Sequence, residues 1–187
     1  IEKPIVPKKP STAEYTYTFV GWSPVLADVT ENVTYTATYT STANEYTITF
    51  NTDGGTVIPS ITQAYNTNVV APANNPTKEG YTFAWWDRTI PSTMPAEDTI
   101  ITAAWTKNLY SVVSNAAPHS TIENRTISTT GKYGYGEEVE VVLSVEAGYR
   151  LTSISAKAWE ENVTLFDRWN GVYAFIMPAK DVTITTE

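Results

Sequence analysis

The same short segments recur along this chain at a nearly constant spacing. The segment YTFVGW at residues 17–22 returns as YTFAWW at residues 81–86. The segment ENVTYTATY at residues 31–39 aligns with EDTIITAAW at residues 97–105, at nearly the same offset. A repeat of this kind indicates an array of small modules, each too small to bury its apolar face without a neighbour.

A third and longer copy follows the second. The segment LYSVVS places Tyr110 against Tyr46 of EYTITF, at the same offset that relates YTFVGW to YTFAWW. Three further pairs align in the same order: YGEEV with YNTNV, GYRL with GYTF, and MPAKDVTIT with MPAEDTIIT. Between GY and MPA the third copy is longer than the second, and the excess holds AKAWEENVTLFDRWNG at residues 156–171. We predict an extra hairpin or loop there.

The register of the copies predicts how the chain is divided. We expect an incomplete repeat with a proline-rich, extended lead-in at residues 1–43, a complete repeat at residues 44–106, and a larger, divergent repeat at residues 107–187. The first copy lacks the opening EYTITF-type strand, so we expect residue 1 to be a cut within a longer protein. A module of about 60 residues buries only roughly 60% of its unfolded surface, so neighbouring modules are expected to stack.

The local patterns predict strands and few helices. In TYTATY the residues Tyr35, Ala37 and Tyr39 share one face and threonines share the other, which is the period of a half-buried strand. The turn residues NTDGG at 51–55 predict a tight β-hairpin whose return strand lies within residues 56–65. Prolines interrupt residues 69–80. We therefore predict a mainly β protein with less than about a tenth of its residues in helices.

Composition excludes several classes of function. The chain has no cysteine, which removes thiolate chemistry and disulfides. Its net charge of −8 is the wrong sign for a nucleic-acid partner, because such proteins carry basic patches. No stretch approaches 18 consecutive apolar residues, so we expect no membrane insertion in this segment.

The motifs in order resemble a known family. The set YTITFNTDGG, AYNTNV, PTKEGYTFAWW and ITAAW is similar to the Listeria-Bacteroides repeat, the B repeat of internalin-type surface proteins, and the third copy resembles the divergent GY…MPA.DVT repeats found beside it. The resemblance implies β-grasp-like modules in an extended tandem array on secreted or wall-attached bacterial proteins. It carries over no catalytic residue. The usual glycine of the GW pair is Gly21 in the first copy but Trp85 in the second, which raises the question of whether the backbone there requires glycine.

The residues that invite a catalytic interpretation are few. His119 is the only histidine, and Ser120 beside it suggests a serine hydrolase, but adjacency in sequence is not triad geometry. The clustered carboxylates suggest a glycosidase pair or a solvated face, and we favour the solvated face; they are Glu137, Glu138, Glu140, Glu160 and Glu161. The turn NTDGG lacks the run of oxygen ligands that calcium needs. We predict no enzyme activity, no cofactor and no metal site.

Aromatic residues are the compositional excess that suggests binding. Trp22, Trp86 and Trp105 recur in register with the repeat and are expected to pack in cores. Trp159, Phe166 and Trp169 lie in the insertion, outside the shared core. Loops projected from a β scaffold are where recognition usually resides, so these three are the predicted binding residues.

The sequence leaves two principal functions, besides a small hydrolase that would use His119. The first is a non-catalytic, extracellular repeat region of a bacterial cell-surface, cell-wall or secreted protein, which acts as a spacer or in protein adhesion. The alternative is a carbohydrate-binding accessory module of a secreted hydrolase. The predicted partner in either case is a protein or carbohydrate on a host or neighbouring cell surface.

Overall fold

The computed structural model describes residues 5–28 and 30–187, and within them it contains fifteen strands and no helix. The prediction of a mainly β array of small modules is confirmed. The first eight strands are β1 (Tyr15–Ser23), β2 (Thr36–Ala43), β3 (Glu45–Asn51), β4 (Ile61–Ala64), β5 (Tyr81–Trp86), β6 (Thr99–Lys107), β7 (Leu109–Asn115) and β8 (Ser120–Asn124). The others are β9 (Lys132–Gly134), β10 (Glu138–Val145), β11 (Ile154–Ala158), β12 (Glu161–Val163), β13 (Phe166–Asp167), β14 (Val172–Ile176) and β15 (Val182–Thr186). A helix able to span a bilayer is not found in the described part of the chain.

Contacts divide the chain into two compact units. One comprises the residues up to 53 together with residues 57–75 and 86–103, and the other comprises residues 54–56, 76–85 and 104–187. The module boundaries expected from the repeat register at residues 43 and 106 stay a prediction, as does the finer assignment of the modules to the β-grasp architecture.

In the first unit, β1 and β2 form a two-stranded antiparallel hairpin with an irregularity between Phe19 and Gly21. In a regular strand Phe19 and Trp22 would face opposite sides, but this bulge lets their rings meet with centroids 5.7 Å apart. Gly21 has no positive φ, and a Cβ at this position would meet no atom within 4 Å. The position therefore does not require glycine, which is why Trp85 is tolerated in the second copy.

The second sheet has the order β4-β3-β6-β5, with β3 parallel to β6 and antiparallel to β4. Its core contains Ile48, Phe50, Val69, Met94 and Ile101, against which Trp86 packs. The predicted pairing of β3 with a return strand inside residues 56–65 is confirmed, but the predicted tight turn is wrong. The connection runs from residue 52 to residue 60, because after the turn at Asp53 and Gly54 the Thr56 amide donates to the carbonyl of Thr77 at 2.8 Å.

The second unit contains a five-stranded sheet, β12-β11-β15-β7-β9, and a four-stranded sheet, β13-β14-β10-β8. Strands β7 and β15 are parallel. Its buried core consists of Tyr133, Val139, Val141, Ala156, Ala158, Phe175, Met177, Val182 and Ile184. Burial raises the pKa of Tyr133, whose hydroxyl donates to the Thr126 carbonyl at 3.1 Å.

The alignment of the second and third copies is visible in the strand order. The succession β4-β3-β6-β5 of the second copy matches β9-β7-β15-β11 of the third, and in both the middle pair is parallel. The aspartate of each MPA segment accepts from the opening strand: Asp98 from the Thr47 amide at 2.8 Å, and Asp181 from the Ser111 amide at 2.7 Å. The third copy therefore keeps the framework of the second.

The extra segment at residues 156–171 adds one strand to each sheet of the second unit. Strand β12 pairs with β11 through a two-residue turn, because Ala158 lies opposite Glu161. Strand β13 pairs with β14 on the other sheet. The predicted extra hairpin is present, and the β11–β12 and β13–β14 turns carry Trp159 and Trp169.

Candidate functional site

The three aromatic side chains predicted to bind lie at the surface of the second unit. Trp159 is the first residue of the β11–β12 turn and is 85% exposed. Trp169 lies in the β13–β14 turn and is 79% exposed, and Phe166 at the start of β13 is 45% exposed. Their role in binding stays a prediction, but burial in a core does not account for their presence.

The backbone at both tryptophans has an unfavourable conformation. Trp159 has φ +58° and Trp169 has φ +71°, in the left-handed region where a Cβ meets the neighbouring carbonyl. The Asp167 carboxylate accepts from the Trp169 amide at 2.7 Å, which holds the second turn in place. Glycine is the usual residue at such positions. The chain therefore keeps a large apolar side chain at two places where neither burial nor backbone energy favours it.

A surface groove runs beside Trp159. It is lined by Tyr110 at the start of β7, by Trp159, and by Lys180 and Asp181 of the MPAKD segment. The Lys180 ammonium is 3.0 Å from the Glu161 carboxylate. One carboxylate oxygen of Asp181 accepts a hydrogen bond from the Ser111 amide, which fixes the position of the carboxylate. The groove thus combines an exposed indole with a half-buried phenol, one ammonium and carboxylate oxygens.

Of the three predicted residues only Trp159 lines this groove. Phe166 and Trp169 belong to the hairpin at the edge of the four-stranded sheet, where Arg168 is 2.9 Å from Glu138. Sequence reasoning missed Tyr110, Lys180 and Asp181. A signal for Lys180 was present, since the second copy reads MPAED where the third reads MPAKD, a reversal of charge at one position of an aligned motif.

The geometry around His119 does not form a serine-type triad. Its Nδ1 atom is 2.9 Å from Glu146, and its ring stacks on Tyr149 with centroids 3.8 Å apart. The Ser120 hydroxyl, which would have to be the nucleophile, donates instead to the Ala117 carbonyl at 2.7 Å. His119 therefore contacts the side chains of Glu146 and Tyr149 at the surface.

The clustered carboxylates are mostly paired with cations. Glu137 faces Lys107 at 3.6 Å, and Glu140 faces Arg125 at 3.6 Å. Glu138 and Glu161 are the partners of Arg168 and Lys180. The described residues contain no group of three or more histidine, aspartate or glutamate side chains arranged to hold a metal ion.

Comparison with known proteins agrees with this framework. Residues 46–111 match the family model of the Listeria-Bacteroides repeat domain, and residues 110–187 match that of the divergent InlB B-repeat domain. The matched segments, residues 46–187, are a Listeria-Bacteroides repeat followed by a divergent InlB B-repeat domain. Both families are typical of bacterial surface proteins, and neither is a catalytic family.

One curated relative covers nearly the whole chain. It is described as a putative membrane protein of Evansella cellulosilytica and is 26% identical over 198 residues, which covers 91% of this chain. The chain spans only 28% of the length of that relative. No solved structure matches the chain significantly.

Replacing Trp159 of the divergent repeat by glycine is expected to raise the free energy of unfolding by about 1 kcal/mol, because glycine adopts positive φ without a steric cost. Trp159→Ala is the matched control. It keeps the strained backbone and removes only exposed atoms, so its free energy of unfolding should stay within about 0.5 kcal/mol of the parent value. Urea unfolding of the three proteins measures both. A glycine variant less stable than the alanine variant would show that the strain is absent.

Proposed function

We propose that this chain is a non-catalytic, extracellular repeat region of a bacterial cell-surface protein and that its repeats act as a spacer. The two repeat families support the surface location, as does the relative described as a membrane protein. The observation that carries the spacer role is the joint between consecutive repeats. Strand β2 ends at Ala43 and β3 begins at Glu45, while β6 ends at Lys107 and β7 begins at Leu109. A single asparagine is left between the strands in each case.

The first joint lies inside the first unit and is held by the side chain of Asn44. Its amide group donates to the carbonyls of Thr12 and Ala13, at 3.0 and 2.8 Å. Its carboxamide oxygen accepts from the Thr16 hydroxyl at 2.8 Å. The Asn44 backbone amide donates to the Glu14 carbonyl at 2.9 Å. The asparagine between the strands is therefore bonded to the hairpin of the preceding repeat.

The second joint lies inside the second unit and repeats the first. The Asn108 backbone amide donates to the Gly80 carbonyl at 2.9 Å, and the Thr82 hydroxyl donates to the Asn108 carboxamide at 2.6 Å. The carbonyl of Asn108 accepts from the Tyr135 amide at 3.3 Å, just as that of Asn44 accepts from the Tyr65 amide at 2.7 Å.

A pair of tyrosine rings accompanies each joint. The rings of Tyr15 and Tyr65 meet edge to face with centroids 5.8 Å apart, and those of Tyr81 and Tyr135 do so at 6.1 Å. Such pairs contribute about 0.5–1.5 kcal/mol beyond the area they bury. A one-residue link leaves little chain entropy, and both joints share three hydrogen bonds and a tyrosine pair. The junction is therefore suited to holding consecutive repeats in a defined arrangement.

The spacer proposal predicts a narrow distance across the first joint. The chain has no cysteine, so spin labels at Ser41→Cys and Val57→Cys would be the only ones attached. We expect a single narrow distance distribution by pulsed electron spin resonance. In Asn44→Ala, which loses three side-chain hydrogen bonds, the distribution should broaden.

The matched control is Asn75→Ala in the same unit, which removes an exposed asparagine away from the joint and should leave the width unchanged. A broad distribution in the parent protein would contradict the spacer role, because a flexible joint cannot set a length.

A further inference from the structure

We propose that the groove beside Trp159 is a binding site for neutral saccharides. The groove is formed by Tyr110, Trp159, Lys180 and Asp181, with Glu161 at the Lys180 ammonium. This inference goes beyond the spacer role and does not rest on it, since all of these residues lie in the second unit and none of them is a linking asparagine.

The first argument is the chemistry of the groove lining. A sugar ring has one face of C–H groups and a rim of hydroxyls that both donate and accept hydrogen bonds. The indole of Trp159, 85% exposed, offers a flat apolar surface for the C–H face of the sugar. For the hydroxyl groups of the sugar, the Lys180 ammonium can donate hydrogen bonds and the carboxylates of Asp181 and Glu161 can accept them. A few polar groups placed around an apolar surface are the usual composition of a small-ligand site.

The second argument is charge. Lys180 contributes one positive charge, while Asp181 and Glu161 contribute two negative charges. The site is therefore slightly acidic, and the whole chain carries −8. This balance disfavours sulfated, phosphorylated or carboxylated glycans and leaves neutral sugars as the class that fits.

The third argument is rigidity. Trp159 stands on a two-residue turn between paired strands, so its indole has little backbone freedom to lose on binding. Asp181 is held by the Ser111 amide at 2.7 Å, and Lys180 is held by Glu161 at 3.0 Å. The turn keeps tryptophan at φ +58°, and such strain is typically found at functional sites.

The fourth argument is size, which separates a saccharide from a protein partner. A specific protein interface buries at least about 1,200 Å² in total, or roughly 600 Å² on each partner. Trp159 and Tyr110 together supply at most about 500 Å² even when wholly covered, and Tyr110 is already half-buried. On its own, the apolar surface of the groove is sufficient for one or two sugar rings and falls short of the area that a specific protein interface requires.

The test is a glycan array of neutral and anionic oligosaccharides, probed with the full chain and followed by titration calorimetry on the glycans that bind. We expect binding to at least one neutral glycan and at least a tenfold loss of affinity in Trp159→Gly. This variant removes the indole and relaxes the turn, so misfolding is not expected to explain the loss. Trp159→Phe retains an aromatic surface and should recover part of the affinity.

Trp85→Ala is the matched control, since Trp85 is another exposed tryptophan, 64% exposed, on a different sheet, and its loss should leave affinity unchanged. Asn44→Ala should also leave it unchanged, which separates this site from the spacer role. The proposal is overturned if no neutral glycan binds at millimolar concentration, if only anionic glycans bind, or if Trp159→Gly binds as well as the parent.

Discussion

Phe175→Ala is expected to lower the free energy of unfolding of the divergent repeat by about 4 kcal/mol. Phe175 lies in β14, is completely buried, and pairs across the sheet with the equally buried Val139. Removing a buried phenyl ring loses its transfer free energy and leaves a cavity, which together cost about 3–5 kcal/mol. A module of this size has few other buried side chains with which to offset the loss.

The control for this prediction is the next residue along the strand. Ile176 points to the other face and is 48% exposed, so Ile176→Ala should cost about 1 kcal/mol or less. Urea unfolding followed by near-ultraviolet circular dichroism gives both values. Equal losses in the two variants would mean that the alternation in β14 does not separate core from solvent.

Gly80→Ala is expected to lower the free energy of unfolding by about 3 kcal/mol. Gly80 has φ +73°, and a Cβ added there would overlap the ring of Tyr135. The substitution therefore combines the cost of a left-handed conformation, about 1–2 kcal/mol, with that of overpacking, about 1–3 kcal/mol. It also disturbs the carbonyl that accepts from the Asn108 amide at the second joint.

Gly136→Ala separates the two contributions. Gly136 has φ +77°, but a Cβ there would meet nothing within 4 Å, so only the conformational cost of about 1–2 kcal/mol is expected. The difference between the two variants in thermal or urea unfolding then measures the contact with Tyr135. If Gly80→Ala is no worse than Gly136→Ala, the tyrosine ring moves aside and the joint is looser than the structure indicates.

The sequence predicts best the features that belong to the segments shared by the copies. Aligning MPAKD with MPAED placed Asp98 and Asp181 at equivalent positions, and the structure shows both accepting from the opening strand of their repeat. The insertion at residues 156–171 is evident in the sequence because the aligned segments on either side of it keep the same order. The shared strand order is consistent with the same alignment, since two copies of one pattern adopt one topology.

The features that the sequence did not predict depend on contacts between residues far apart in the chain, or on a backbone conformation that opposes the local residue preference. The groove brings Tyr110 beside Lys180 because β7 and β15, far apart in the chain, are parallel neighbours. Turn propensity at NTDGG predicts a tight hairpin, but the Thr56 amide donates to the Thr77 carbonyl instead, a contact that only the tertiary structure provides. The left-handed conformation of Trp159 runs against residue preference, so no propensity argument finds it.

The parallel pairing of the first and last strands has a consequence for a protein under tension. In the second and third copies the opening strand lies beside the closing strand, as Ile48 beside Thr99 and Val112 beside Val182 show. A force that pulls on the two ends of a repeat draws these strands past one another along their length. The hydrogen bonds between them are then loaded together in shear, instead of being opened one at a time as in a peeled hairpin. Resistance to force is governed by the barrier to unfolding and not by equilibrium stability, so a small module of modest stability can still carry a mechanical load.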